Sequence, residues 1–281
     1  MKAPDFDYAC PKTLREALAL LDENGRDVML LAGGQSLMPV LNFRLAAPDL
    51  LVDLNAISEL TGIIDQDEQI VIGAMTRYAD LETSEPVTQH LPLLKQALPF
   101  IAHPAIRNRG TIGGSVALAD PAAEMPALLL ALDATIILAS TTGERQVAAD
   151  NFFTGLYETA RRPDEIVKAV SVPKALGARR FAFDELTRRH GDYAMVGLAA
   201  TAEATSPFQK LRLVFFGIAD RAVRSLDAEQ ALNGRTCDDE QAMQRATEAL
   251  AALSFDSDVH SSSSTKRHLA AVLLKRVMRT L

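Results

Sequence analysis

Two glycine pairs are the features of this sequence best suited to holding a ligand. They lie in Ala32-Gly33-Gly34-Gln35-Ser36 and Thr111-Ile112-Gly113-Gly114-Ser115. Glycine backbone can approach a ligand closely and adopts positive φ at low cost. Successive N–H groups in such a turn form a concave anion site, and a following helix adds partial positive charge. One pair alone more often marks a turn, but two pairs together favour one pyrophosphate held from both sides.

Other kinds of site are disfavoured by residue spacing. Neither glycine pair fits the G-x-G-x-x-G pattern of nicotinamide binding or the phosphate loop that ends in Gly-Lys-Ser/Thr. Cys10 and Cys237 are too few for a thiolate iron–sulfur cluster or a structural zinc ion. His103 and His190 have no partner at metal-ligand spacing. We therefore expect no metal site and no catalytic acid or base in this chain.

Composition indicates an ordinary globular protein larger than one domain. The chain has 281 residues, 48% of them hydrophobic and 23% charged, with 29 basic and 36 acidic residues for a net charge of −7. The basic residues are dispersed, which argues against nucleic-acid binding. The most apolar run, residues 125–139, contains Asp133 and is too short to span a bilayer. With no signal-peptide pattern in residues 1–8, a cytoplasmic location is expected.

Hydrophobic periodicity predicts a β-α-β arrangement around the first glycine pair. Thr13–Asn24 has helical spacing, with Thr13 as N-cap three residues before Glu16 and Gly25 closing the helix. A buried strand over Val28–Leu31 leads into the glycine pair. A short helix over Leu37–Leu45 and a strand over Leu50–Leu54 follow.

Two further regions follow, with a domain boundary near residue 175. The loop-like stretch from Lys174 to Arg180 separates them. The second region is predicted to contain strands at Gln69–Ile72 and Thr135–Ala139 and helices at Leu91–Ile101 and Pro121–Leu132. The third is predicted to contain strands at Phe181–Leu186, Tyr193–Glu203 and Leu211–Gly217, then helices at Asp238–Leu253 and Ser264–Leu281.

Three segments together resemble a known family. Residues 32–36, residues 106–126 (IRNRGTIGGS through ADPAAEMP) and residues 188–194 (RRHGDYA) are similar to the medium, FAD-binding subunit of the molybdenum hydroxylases, the xanthine dehydrogenase and carbon monoxide dehydrogenase type. The resemblance covers essentially the whole chain. Its three motifs occur in the family's order and spacing.

The resemblance implies an α/β (α+β) fold. Residues 1–175 would be a FAD-binding domain of the vanillyl-alcohol-oxidase or PCMH type, with subdomains at about 1–56 and 57–175. Residues 176–281 would be a C-terminal α/β flavoprotein domain of the CO dehydrogenase type, which closes over non-covalently bound FAD.

The resemblance also implies which residues contact FAD. Backbone of the glycine loops would hold the diphosphate and ribityl region, Ile101 and Val167 would be apolar walls, Glu124 would stand where relatives have a hydrogen-bonding Asp, and Tyr193 would lie beside the isoalloxazine. The full expected set is Ala32, Gly33, Gly34, Gln35, Ser36, Leu37, Ile101, Thr111, Gly113, Gly114, Ser115, Glu124, Val167 and Tyr193. Many relatives have Lys where this strand has Asp184 and Glu185, so no cationic contact is expected there.

The function implied is electron transfer. A large partner subunit with the molybdenum cofactor would oxidise the substrate, a small subunit with [2Fe-2S] clusters would relay electrons, and this chain would pass them to an external acceptor, in a complex expected to be a dimer of heterotrimers. The RRHGDYA segment is more typical of relatives that act on N-heteroaromatic compounds. Two alternatives stay open: a self-contained FAD oxidoreductase of the same fold, and a non-catalytic scaffold subunit.

Overall fold

The computed structural model describes residues 2–22, 25–175 and 179–281. Its first unit is a small parallel sheet in the order β1-β3-β2. Its elements are β1 (Asp7–Ala9), α1 (Leu14–Leu21), β2 (Val28–Leu31), α2 (Leu37–Asn42) and β3 (Leu50–Asp53), followed by 3-10 turns at Leu54–Ala56 and Ser58–Leu60. The register pairs Leu30 with Val52. The first glycine pair therefore follows the carboxyl end of β2.

Helix α1 forms because its ends and its face are both encoded locally. The Thr13 side chain accepts a hydrogen bond from Glu16 N–H at 3.2 Å, and the Glu16 carboxylate accepts one from Thr13 N–H at 3.2 Å. Leu14, Ala17 and Leu18 then face the sheet within one buried cluster. The predicted helix and its cap are confirmed as far as Asp22, and residues 23–24 lie outside the described residues.

The second unit is an antiparallel sheet in the order β4-β5-β10-β6-β7, covered by short helices. Its strands are β4 (Ile63–Asp65), β5 (Gln69–Gly73), β6 (Thr135–Ser140), β7 (Gly143–Ala148), β8 (Phe153–Gly155), β9 (Glu158–Thr159) and β10 (Ile166–Pro173). Its helices are α3 (Tyr78–Thr83), α4 (Glu85–His90), α5 (Pro92–Ala97), α6 (Pro104–Arg107), α7 (Ile112–Leu118), α8 (Glu124–Ala131) and α9 (Ala149–Phe152), with a 3-10 turn at Leu98–Phe100.

The third unit is an antiparallel sheet in the order β11-β12-β15-β16, backed by three helices. Its elements are β11 (Arg180–Leu186), β12 (Val196–Ala202), β13 (Ala204–Thr205), β14 (Phe208–Gln209), β15 (Arg212–Phe216), β16 (Val223–Arg224), α10 (Leu226–Leu232), α11 (Glu240–Ala249) and α12 (Ser263–Thr280), with a 3-10 turn at Leu250–Ala252.

Helix α8 joins the second and third units. All eight of its residues are buried, which is the pattern of a helix enclosed on every side. Arg212 Nη1 on β15 donates to the Leu130 carbonyl at 2.7 Å, and Thr201 Oγ1 on β12 donates to the Ala131 carbonyl at 3.3 Å. One hydrophobic cluster contains residues of both units. The third unit is thus packed directly against the element that begins at Glu124.

The mixed helix and strand fold expected from the sequence is confirmed, with local corrections. The second glycine pair lies inside helix α7, a helix that periodicity did not predict. Tyr193 precedes β12 and is not a strand residue, because β12 begins at Val196. The predicted helix Leu91–Ile101 is divided into α5 and a 3-10 turn. The predicted loop from Lys174 to Arg180 falls partly outside the described residues, and its residue Arg180 begins β11.

Candidate cofactor site

The two loops that carry the glycine pairs are in direct contact, although they belong to different units. A Cβ built on Gly33 would lie 2.9 Å from Gly110 Cα and closer still to the Arg109 carbonyl oxygen. A Cβ on Gly114 would lie 3.4 Å from Ala32 Cβ. Real side chains do not fit at 2.9 Å from backbone. The sequence reasoning expected glycine here to make room for a cofactor, whereas the structure shows that Gly33 is needed first for the two loops to meet.

The first loop retains unused backbone donors. Gly34 adopts φ +73°, a conformation that favours glycine, and Gln35 Nε2 donates to the Gly33 carbonyl at 3.0 Å. The N–H groups of residues 33–36 donate to no protein acceptor among the residues that the structure describes. Free N–H groups of this kind form a site for an anion. The loop residues that precede and begin α2, including Ser36 and Leu37, are half-buried.

The N–H groups of the glycine pair in the second loop are hydrogen-bonded to protein acceptors. Gly113 N–H donates to the Ala74 carbonyl at 2.8 Å, and Gly114 N–H donates to Thr111 Oγ1 at 3.1 Å. Thr111 is the N-cap of α7, and a Cβ on Gly113 would lie 2.7 Å from Ala74 Cα. The second pair therefore contributes close packing, and the free amides come from the first loop.

A polar network that sequence reasoning missed ties the loops together. Asn55 Nδ2 donates to the Ala32 carbonyl at 3.0 Å, and the Arg77 guanidinium donates both to Asn55 Oδ1 and to the Arg109 carbonyl. Asp53 holds Asn55 in place by accepting from its N–H at 2.9 Å. A polar Asp-x-Asn pattern directly after a buried strand was the available signal in the sequence.

A second cluster of polar groups surrounds the start of α8. Glu124 and Asp120 are buried, and burial raises the pKa of both carboxyls, that of Glu124 to about 7 with a further contribution from the charge of Asp120. Tyr78 lies beside them with a hydroxyl that has no hydrogen-bond partner among the described residues. Ser115 also faces this phenol, and burial raises the Tyr78 pKa.

Two tyrosines from different segments of the chain reach Asp120. Tyr157 lies at the turn between β8 and β9, and Tyr193 lies in the segment before β12. Interactions with both hydroxyls partly offset the raised pKa of Asp120. Desolvation of the phenol and the facing Asp120 raise the pKa of Tyr193 to about 12, although 64% of the residue is exposed. An exposed ring held in this way is available for stacking.

Ile101 and Val167 are both buried in the core of the second unit, which also contains Ile112 of helix α7. Arg107 fixes the Ile101 carbonyl through a hydrogen bond of 3.0 Å. In residues 2–22, 25–175 and 179–281, no cluster of three or more His, Cys, Asp or Glu side chains is arranged to hold a metal ion, and no helix is long and apolar enough to cross a membrane.

Known proteins match this chain over nearly its whole length. Residues 4–175 match the family described as FAD binding domain in molybdopterin dehydrogenase, and residues 181–281 match the CO dehydrogenase flavoprotein C-terminal domain. The 6-hydroxypseudooxynicotine dehydrogenase complex subunit alpha of Paenarthrobacter nicotinovorans is 40% identical, covering 99% of this chain and 95% of that one.

Two solved structures have the same fold. Carbon monoxide dehydrogenase from Hydrogenophaga pseudoflava, described as lacking the Mo-pyranopterin moiety of the molybdenum cofactor, superposes with a TM-score of 0.96 at 38% identity and covers 100% of this chain and 98% of its own. Quinoline 2-oxidoreductase from Pseudomonas putida 86 gives a TM-score of 0.93 at 38% identity, with 99% and 97% covered.

Proposed function

Because the chain belongs to the family of FAD-binding medium subunits of the molybdenum hydroxylases, we propose that it receives electrons from a small iron–sulfur subunit and passes them to an external acceptor. Bound FAD supplies chemistry that suits this position, since a flavin exchanges electrons singly or in pairs. The chain's own residues bind, orient and shield the cofactor. No residue of this chain is assigned as a catalytic acid or base.

The observation that carries the assignment of the cofactor site is the contact between the two glycine loops. The free N–H groups of residues 33–36 fit an anionic diphosphate, and the contact of Gly33 with Arg109 and Gly110 brings the second loop alongside. We assign FAD contacts to Ala32, Gly33, Gly34, Gln35, Ser36, Leu37, Thr111, Gly113, Gly114 and Ser115 on this basis.

The flavin ring is assigned to the other end of the site. Ile101 and Val167 would provide apolar walls, Glu124 a hydrogen bond, and Tyr193 an aromatic face. The burial of Ile101, Val167 and Glu124 and the exposure of the Tyr193 ring support these roles. Residues 1–175 would then hold FAD between subdomains at about 1–56 and 57–175, with residues 176–281 closing over it.

Partners follow from the family. We infer a complex with a small subunit that carries [2Fe-2S] clusters and a large subunit that carries the molybdenum cofactor, assembled as a dimer of heterotrimers. The substrate would be an N-heteroaromatic compound, an inference supported by relatives named for 6-hydroxypseudooxynicotine and quinoline. A reducing cytoplasm suits the two exposed free thiols, Cys10 and Cys237.

Co-expression of this chain with a small iron–sulfur subunit and a large molybdenum subunit tests the proposal. The purified complex should contain FAD, iron and molybdenum, and quinoline-type substrates should bleach its flavin. Removal of this chain should abolish electron delivery to a dye acceptor that takes electrons from flavin, while the iron–sulfur clusters are still reduced by substrate. Unchanged delivery without this chain would contradict the proposal.

A further inference from the structure

Helix α12 contains a lysine at a position that local rules disfavour. Lys266 is only 5% exposed, and lysine is rarely buried to this extent unless it is paired. It follows the N-cap residue Ser262 closely, so it lies near the amino end of the helix, where the backbone dipole disfavours positive charge. A residue that contradicts both rules is expected to have a specific role in the fold or the site.

The ammonium group of Lys266 connects two separate loops of the third unit. Its Nζ donates to the Gly217 carbonyl at 2.8 Å and pairs with Asp258 at 2.7 Å. The other carboxylate oxygen of Asp258 accepts from the N–H groups of His260 and Ser261 at 2.7 and 2.8 Å. The lysine therefore ties the loop before α12 to the Gly217 turn, which comprises residues 217–221 between β15 and β16.

The Gly217 turn supports the segment before α8. Gly217 N–H donates to the Pro121 carbonyl at 2.8 Å, and Gly217 adopts φ +75°, a conformation that favours glycine. Pro121 directly follows Asp120 of the polar cluster at the start of α8. Gly217 thus uses its N–H toward the second unit and its carbonyl toward Lys266.

The same turn lies against the backbone next to Tyr193. A Cβ built on Gly217 would lie 2.6 Å from the Ala194 carbonyl oxygen and 3.1 Å from the Met195 carbonyl oxygen. Side chains do not fit at such distances from backbone, so the turn and this segment are in direct contact. Ser261, from the loop before α12, also donates from Oγ to Met195 Sδ at 3.4 Å.

A second contact holds the other side of Tyr193. A Cβ on Gly191 would lie 2.6 Å from His103 Cε1 and 3.0 Å from the Ala102 carbonyl oxygen, so this glycine packs directly on the second unit. Tyr193 itself is 64% exposed. It is therefore an exposed residue between two closely packed stretches of backbone.

We propose that Lys266 is a positioning residue for the flavin ring. By fixing the Gly217 turn it fixes the backbone at Ala194, and so determines where the exposed ring of Tyr193 lies. The inference rests on the proposed function, which assigns that ring to the isoalloxazine of FAD. Lys266 need not touch the cofactor, because its ammonium is buried and directed to Gly217 and Asp258.

Flavin fluorescence of the FAD-loaded full chain tests the positioning role. A tyrosine ring stacked on a flavin quenches its emission, because the excited flavin briefly accepts an electron that then returns to the phenol. Lys266→Met keeps an apolar chain of similar length but removes the donor to the Gly217 carbonyl. Fluorescence per bound flavin should rise toward the level of Tyr193→Leu, which lacks the ring. The Kd for FAD should stay within about tenfold of the wild-type value, because the amides of the first loop are untouched.

Glu229→Gln is the matched control for a general loss of stability. It weakens a buried ion pair of the same unit, between Glu229 and Arg224 at 2.7 Å. The Glu229 carboxylate also accepts from Leu213 N–H at 2.9 Å. The control should lower Tm and keep the flavin fluorescence of the wild type.

Hydrogen exchange in the FAD-free full chain tests the contacts of Lys266 independently of the flavin. The amides measured are those of Gly217 and Met195, which donate to Pro121 and Leu186 at 2.8 and 2.9 Å. Relative to the amides of β12, both should exchange about tenfold to 100-fold faster in Lys266→Met than in the wild type, because a hydrogen bond from a charged donor is lost. In Glu229→Gln the same ratio should equal that of the wild type.

Each result has a distinct consequence. Unchanged relative exchange at both amides in Lys266→Met would refute the support of the Gly217 turn, and with it the proposal. Faster exchange with wild-type flavin fluorescence would overturn the positioning role alone, provided that Tyr193→Leu does raise the fluorescence. Equal fluorescence of Tyr193→Leu and the wild type would instead contradict the assignment of the Tyr193 ring, and failure of the wild type to bind FAD would contradict the proposed function itself.

A second variant covers the case in which Lys266→Met does not fold. Gly217→Ala approaches the same contact from its other side, because the added methyl group would displace the Ala194 carbonyl. It should raise the flavin fluorescence in the same direction as Tyr193→Leu. Wild-type fluorescence in a folded Gly217→Ala variant would overturn the positioning role.

Discussion

Replacement of Gly33 by Ala tests the contact between the two glycine loops. The new methyl group would lie 2.9 Å from Gly110 Cα and nearer to the Arg109 carbonyl, both of which are backbone atoms with little freedom to move. Gly33 does not have a positive φ, so the substitution adds no backbone strain of its own. The expected effect is therefore the separation of the first loop from the second.

The magnitude follows from overpacking. An extra methyl group in a closely packed region costs about 1–3 kcal/mol. We expect the added methyl group to separate the two loops in the FAD-free chain, and FAD binding then requires the loops to be brought back together against that cost. The Kd for FAD should rise by about 5-fold to 150-fold, while Tm should change little.

Fluorescence titration of FAD into the full chain measures the Kd, and thermal melting measures stability. Gly155→Ala is a matched control, because the nearest atom to its Cβ would be Oε2 at the flexible end of the Glu158 side chain, at 3.1 Å, and no backbone atom lies as close. The control should bind FAD as the wild type does. A Gly33→Ala variant with wild-type Kd would refute the reasoning, and so would one that loses Tm but binds FAD normally.

Four further outcomes are expected. Gly114→Val should weaken FAD binding more than it lowers Tm, since its Cβ would start 2.9 Å from Thr111 Oγ1; full flavin occupancy would reduce the second loop to a turn. Asn55→Ala, which removes the bond to the first loop, should raise the Kd for FAD by up to about tenfold in the same titration. Acid precipitation should release the flavin into solution, and flavin retained in the pellet would indicate a covalent link. Asp258→Asn should cost about 1–3 kcal/mol in denaturant unfolding at pH 7, because buried Lys266 loses a carboxylate at 2.7 Å. That ion pair lowers the pKa of Asp258 to about 2, so the stability that the pair contributes at pH 7 is lost as the pH falls from 3.8 through about 2. Asp258→Asn should therefore reduce stability at pH 7 but have little effect at a pH of about 2, and an equal loss of stability at both pH values would contradict the contribution of the ion pair.

Local signals predicted the elements that depend on nearby residues. The Thr13–Glu16 capping box and the apolar spacing of Leu14, Ala17 and Leu18 were sufficient for α1. The long C-terminal helix was likewise predicted to within a residue of Ser263–Thr280. In both cases the stabilising contacts lie within a few turns of the chain or on one periodic face.

Elements that depend on distant contacts were missed. Helix α7 begins Ile112-Gly113-Gly114, and glycine is a poor helix former. The helix forms because Thr111 caps it and because Gly113 packs against Ala74, a residue that sequence spacing does not connect to it. Tertiary packing overrides local propensity at this point.

The candidate site likewise combines features that are visible in the sequence with features that depend on tertiary contacts. The glycine pairs are visible in the sequence, but the bridge from Asn55 through Arg77 to Arg109 appears only when the first and second units are assembled. The complete burial of α8 likewise requires the third unit to pack on that helix. Both are consequences of the tertiary fold, which no single segment encodes.

The most direct test of the central claim compares the isolated chain with its complex. Quinoline and 6-hydroxypseudooxynicotine are added under anaerobic conditions to the FAD-loaded chain alone and to the chain with its iron–sulfur and molybdenum partners, and the flavin absorbance is followed. Dithionite serves as the positive control for a reducible flavin. The chain alone should keep an oxidised flavin spectrum, and the complex should be bleached by at least one substrate. Bleaching of the isolated chain by substrate would place a complete active site in this polypeptide and contradict the account.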